Sequence, residues 1–231
     1  ERAEEIVTLD RSSQREIRMR AVHMGDEIFI AVSWPDAAPS ETHRSWVWDP
    51  GEEVYKQGAD REDVCVLKWS LVGLDANLSL HRDPQPHVAD IWFWKACRTN
   101  PAGYADDKRQ ILDDKAGDET AEVTTGDGGV LHLHRVADEG KSAYEDVFVF
   151  EHQGDVVTRY APRQPTGSRG DVRAKGAWAD GRWTVEFARK LNTDHDDDVT
   201  LTSAEPHLLG VGHYEICLLY TSPSPRDRTR S

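Results

Sequence analysis

The stretch Ala89–Lys108, ADIWFWKACRTNPAGYADDK, decides the fold. Its first half alternates with a period of two: Ile91, Phe93 and Lys95 fall on one side, Trp92, Trp94 and Ala96 on the other. Large rings on both faces predict a strand covered on both sides, inside a sheet rather than at its edge. After Cys97 the character changes. Asn100-Pro101-Ala102-Gly103 is turn chemistry, with proline fixing φ and glycine accepting positive φ. Asp106 and Asp107 follow. Neighbours on an extended chain diverge, so they are expected to hold loop N–H groups rather than act as a paired acid and base. A buried strand that runs into a fixed polar loop is a common way to present a site.

Outward from this stretch, short strands separated by turns recur. Glu16–His23 and Glu27–Trp34 alternate around Gly25-Asp26 and predict a hairpin. Glu5–Leu9, Asp63–Leu71, Val130–Val136 and Glu145–His152 read as strands, and Gly212–Ile216 as the start of another. Trp178–Leu191 predicts a hairpin about Asp180-Gly181, with Trp183, Val185 and Phe187 on one face. Residues 35–62 read as loop broken by Trp46-Val47-Trp48, with Asp60, Glu62 and Asp63 as an exposed lead-in to the next strand. Lys108–Gly129 and Gln153–Lys175 read as surface segments. Asp194–Asp198 lacks the spaced carboxylates of a calcium loop and reads as solvated. His132 and His134 share a strand face without a third ligand nearby and read as polar-face residues. No repeat appears and no long helix. The fold class is therefore all-β, an antiparallel β-sandwich.

The chain has 231 residues, 38% hydrophobic and 30% charged, with eight Trp and a formal charge of −14. That balance predicts one soluble β domain over residues 1–216 and argues against nucleic acid as a partner. An acidic surface is either simply solvated or suited to a basic electron-transfer partner. No apolar run approaches the ~20 residues of a membrane helix. Glu1-Arg2-Ala3-Glu4-Glu5 is not a signal-peptide core, so the N-terminus reads as processed or truncated. Cys217–Ser231 (CLLYTSPSPRDRTRS) has no strand period and reads as translated sequencing adapter, a non-native tail. Cys65 and Cys97 make no disulfide framework, and without Cys-x-x-Cys-His there is no covalent haem attachment.

Two blocks carry a resemblance. Ala89–Lys108 resembles the signature of the ethylbenzene-dehydrogenase-related haem-binding domains, found as gamma subunits of periplasmic molybdenum enzymes and in related cytochromes. Gly176–Leu191 (GAWADGRWTVEFARKL) resembles their later Trp-rich strand pair, and the likeness covers most of residues 5–216. It implies a β-sandwich that binds haem b between its sheets. It implies a non-catalytic, electron-transfer role in a periplasmic or otherwise exported system, beside a redox partner protein or catalytic subunit. In the gamma subunits the iron ligands are a Met shortly before the strand and a Lys near the C-terminus; other relatives use an upstream Cys-His and a His within the strand. Here Asp75–Leu80 has no Met, and Phe93 stands at the strand His position. His81 and His87 are the strong ligands close upstream; the resemblance points to His81 as the iron ligand and to Trp92, Trp94, Lys95 and Arg98 as cofactor contacts, Lys95 as a further candidate ligand or propionate partner and Arg98 as a propionate partner. The non-haem alternatives are a loop histidine for His81, a snorkelling lysine for Lys95, and an Asp106 or Asp107 partner for Arg98. The rival function is a carbohydrate-binding sandwich that stacks sugars on exposed Trp, for example Trp46 and Trp48.

Overall fold

A computed structural model describes residues 16–117, 119–202 and 204–214. The expected strand at Glu5–Leu9 and the tail at Cys217–Ser231 lie outside the described residues.

The opening hairpin is β1 (Arg18–Met24) and β2 (Glu27–Pro35), closed with Met24 opposite Glu27 and Gly25 at φ +63°. A small outlying sheet uses β3 (Trp46–Asp49) and β4 (Val54–Gln57). The chain then enters the main sheet through β5 (Val64–Ser70), β6 (His87–Lys95), β7 (Asp106–Asp113), β8 (Ala121–Thr124) and β9 (Val130–Ala137). Short strands follow: β10 (Tyr144–Asp146), β11 (Val156–Val157) and β12 (Tyr160–Pro162). The second hairpin is β13 (Arg173–Ala179) and β14 (Arg182–Lys190), and β15 (Leu209–Tyr214) returns to the main sheet.

Two antiparallel sheets face each other. One has six strands in the order β15-β5-β6-β7-β9-β8, the other four in the order β1-β2-β14-β13. β6 is thus interior, as its two-sided rings require. Trp92 and Trp94 point between the sheets, where Cys65, Leu67 and Trp69 of β5 meet Ile30, Val32 and Trp34 of β2 and Trp183, Val185 and Phe187 of β14. Trp94 meets Trp183 edge-on at 5.0 Å and Trp34 at 6.3 Å between ring centroids. Ile91 and Phe93 point to the outer face, against Val66, Leu78 and Tyr214. The β13–β14 turn puts Asp180 at φ +50° and Gly181 at φ +75°, the pair of positive φ values that a type I′ hairpin requires.

The Asn100-Pro101-Ala102 segment forms one 3-10 turn that Gly103 ends at φ +82°. Asn100 makes this turn part of the core. Its Oδ1 accepts from Trp94 Nε1 at 3.1 Å and from the Gly176 N–H at 2.7 Å, and its Nδ2 donates to the Gly176 carbonyl at 3.2 Å. The two blocks read as signatures are therefore physically joined. Gly176 is required there, because a Cβ would lie 2.3 Å from Trp94 Cζ2. Gly176→Ala is expected to cost about 1–3 kcal/mol by overpacking, read as a lower urea midpoint at unchanged slope.

Several expectations are corrected. The segment Lys108–Gly129 is not exposed throughout: its first residues, Lys108–Asp113, belong to β7, paired to β6 and β9. Of the expected Glu145–His152 strand only Glu145 and Asp146 lie in a strand, β10, and Phe148 and Phe150 are exposed. Residues 35–62 contain two strands, not one interrupted loop. Glu62, Asp63, Asp106 and Asp107 are buried.

Candidate functional site

The five residues that the resemblance singles out are divided among four places. Trp92 and Trp94 are buried between the sheets, inside a cluster of Trp34, Trp69 and Trp183 that fills that space. Lys95 lies on the opposite face of β6. It is buried, not snorkelling, and its Nζ binds Asp106 Oδ2 at 2.6 Å over the Phe93 and Tyr144 rings. Arg98 pairs with neither Asp106 nor Asp107. Its partner is Glu62, which also accepts from the backbone N–H groups of Cys97 at 2.7 Å and Arg98 at 2.9 Å. His81 is exposed, in the segment that links β5 to β6. His87 is buried and already engaged, with Nδ1 2.9 Å from the Gln85 carbonyl and Nε2 2.9 Å from Gln110 Nε2.

Two charged assemblies flank β6, and the divergence of Asp106 and Asp107 creates them. Asp106 turns to the outer face. Lys95, Lys108 at 3.2 Å and Arg169 at 2.8 Å surround it, and these cations hold its carboxyl far below the usual range against the cost of burial. Arg169 belongs to the segment before β13, so this cluster pins that segment to the main sheet.

Asp107 turns inward, toward Asp90 of β6 and Asp198 of the segment before β15. Arg189 of β14 is the cation in direct contact. Its Nη1 lies 2.8 Å from Asp90 Oδ2 and 3.5 Å from Asp198 Oδ1, its Nη2 donates to the Val199 carbonyl, and its guanidinium stacks 4.7 Å above Trp92. Burial and the neighbouring carboxylates push Asp107 well above the usual carboxylate range, Asp198 to about 7 and Asp138, at the end of β9, to about 8. No sequence pattern announced this group: its members come from five separate segments, and each alone looks like ordinary strand or loop polarity.

On the outer face of the six-stranded sheet, residues 71–86 cross over β5 and β6. Leu78 packs against Val66, Ala89 and Ile91, and Leu80 against Leu112, Leu131 and Leu133. Beneath Leu78 sits Lys68. It is buried, its Nζ is 3.4 Å from the Leu78 carbonyl, and desolvation with the nearby charge of Arg135 lowers its pKa to about 8. Sequence reading passed over Lys68 as one polar position in a strand.

A separate groove of about 240 Å³ is lined by Trp46, Trp48, Tyr55, Phe148 and Phe150. Trp46 and Trp48 are partly buried rather than free. Trp46 Nε1 donates to the Val147 carbonyl at 2.7 Å, and Trp48 meets Tyr55 edge-on at 5.1 Å.

Among the described residues no helix is long and apolar enough to cross a membrane. No curated protein matches the chain. A family model described as ethylbenzene dehydrogenase matches residues 3–215, in agreement with the two blocks that Asn100 ties together, and the chain belongs to that family.

Proposed function

We propose that the chain is a haem-b-binding electron-transfer domain, not itself catalytic, that works beside a redox partner or catalytic subunit in a periplasmic or otherwise exported system. Family membership supports the class of function. The seat of the haem differs from the one the resemblance implies. Trp34, Trp92, Trp94 and Trp183 occupy the space between the sheets, and a macrocycle does not fit there.

The outer face of the six-stranded sheet suits the group, and buried Lys68 carries this reading. A lysine held out of water with a carbonyl as its hydrogen-bond partner keeps an unusually large neutral fraction near neutral pH, and only the neutral amine offers a lone pair to iron. Ile91, Phe93, Leu78 and Tyr214 supply apolar cover on the same face. Phe93, at the position where some relatives carry histidine, points to this side. His81 belongs to the segment 71–86, whose Leu78 packs on this face. Lys68 and His81 would hold the iron, and Arg135, 5.9 Å above the Phe93 ring, would meet a propionate. The haem supplies a one-electron redox centre, and the net charge of −14 favours encounter with a basic partner.

The test is reconstitution with haem and visible spectroscopy of variants. His81→Ala and Lys68→Ala are each expected to abolish or shift the Soret band with the far-UV spectrum unchanged, and His87→Ala to leave the Soret band in place. An unaltered Soret band in both His81→Ala and Lys68→Ala contradicts this seat.

The exposed Phe148 and Phe150 beside Trp46 and Trp48 favour a second reading, a sugar-stacking groove. It requires quenching of Trp fluorescence by added glycans, lost in Trp46→Ala and Trp48→Ala.

A further inference from the structure

We propose that Asp90, Asp107 and Asp198 form a buried site for one divalent cation, calcium by preference. One carboxylate oxygen from each of the first three lies within 4.8 Å of the others, the spread expected of oxygens that share an ion about 2.4 Å away.

The hydrogen bonds say which oxygens are available. Asp90 Oδ2 is taken, by Arg189 and by the Val199 N–H at 3.0 Å, while Asp90 Oδ1 is buried without a partner. Thr193 donates to Asp198 Oδ2 at 2.5 Å, and Asp198 Oδ1 is buried without a hydrogen bond. Asp90 and Asp198 are thus each oriented through Oδ2 and keep an Oδ1 without a hydrogen bond, that of Asp198 lying 3.5 Å from Arg189 Nη1, an arrangement like that of metal ligands steadied by surrounding donors. Asp107 is fully buried, and neither of its oxygens has a hydrogen-bond partner. Asp138 is also buried with both oxygens unpartnered, close enough to raise the pKa of Asp107. Four carboxyls around a single contacting guanidinium leave an excess of negative charge, which a buried site does not tolerate without protons or a cation. An all-carboxylate oxygen set selects hard ions, and its irregular, multidentate character suits calcium better than the strict octahedron of magnesium. The way in is at hand: Asp171 and the exposed His195, joined at 2.6 Å, lie on the solvent side of Asp198.

The test uses the whole chain stripped with a chelator, without haem, so that its result is separate from the haem reading. Calcium at about 1 mM is expected to raise the melting temperature by about 5 °C or more and to be retained at one ion per chain after dialysis. Asp107→Asn removes a ligand and also a repulsive charge. Its metal-free form is expected to melt no lower than metal-free wild type, with calcium binding weakened at least about tenfold. Three results overturn the proposal: a wild-type melt indifferent to calcium, a response to magnesium or manganese but not to calcium, and an Asp107→Asn variant that binds calcium as tightly as wild type.

Discussion

Trp94→Ala is expected to destabilise the domain by about 3–5 kcal/mol, the range for deleting a fully buried large ring. Trp94 has no exposed surface and is wedged between Trp34 and Trp183. Its loss also strips the indole N–H from Asn100 Oδ1, loosening the turn that ties β6 to β13 at Gly176. The cavity cannot collapse easily, since both walls are sheets already fixed by their own ladders. Trp46→Ala, in the outlying three-stranded sheet, is expected to cost far less. Equal shifts in urea midpoint for the two variants would place the centre of the fold elsewhere.

Arg189→Leu is expected to be as damaging, by about 3–5 kcal/mol, because it removes one partner of a buried ion pair and leaves the other unbalanced. Leucine keeps part of the aliphatic stem but removes the guanidinium that stacks on Trp92, so the loss combines the ion pair with that contact. Asp90 loses its 2.8 Å partner, and the Val199 carbonyl loses its donor. Calcium is expected to recover part of the lost stability by supplying positive charge to the same carboxylates. Urea denaturation with chelator and with calcium checks both statements. A near-neutral effect in chelator would mean that the carboxyls are protonated and do not need the guanidinium.

The parts of the fold legible in the sequence are those in which burial follows a local pattern. β6 announced itself through rings on both faces, the two hairpins through Gly25-Asp26 and Asp180-Gly181, and β14 through Trp183, Val185 and Phe187. β7 was missed because Asp106-Asp107-Lys108-Arg109-Gln110 looks like a solvated run. Its charges are buried beside groups that arrive from elsewhere: Asp106 meets Lys95 from β6 and Arg169 from the segment before β13, and Asp107 faces Asp90 of β6 and Asp198. The converse error lies at Val147–His152, where alternation is good but strand pairing stops at Asp146. Alternation shows that a segment suits a pleated surface, not that a neighbouring edge is there to receive it.

The candidate sites were less legible for the same reason. The resemblance placed His81, Trp92, Trp94, Lys95 and Arg98 around one cofactor, but a strand sends odd and even positions to opposite faces, and Lys95 and Trp94 are therefore separated by the sheet itself. Lys68 carries no motif and is distinguished only by what covers it. Asp198 sits in an acidic stretch that reads as loop, and its meeting with Asp90 and Asp107 is a property of the sandwich, not of any local spacing.

Stoichiometric titration of the purified wild-type chain with haem, followed at the Soret band, is the most direct measurement of the central functional claim. One haem per chain with a sharp equivalence point is expected, accompanied by quenching of Trp fluorescence. A flat titration of folded protein would contradict haem binding by this chain, while leaving its family membership and the carboxylate site untouched.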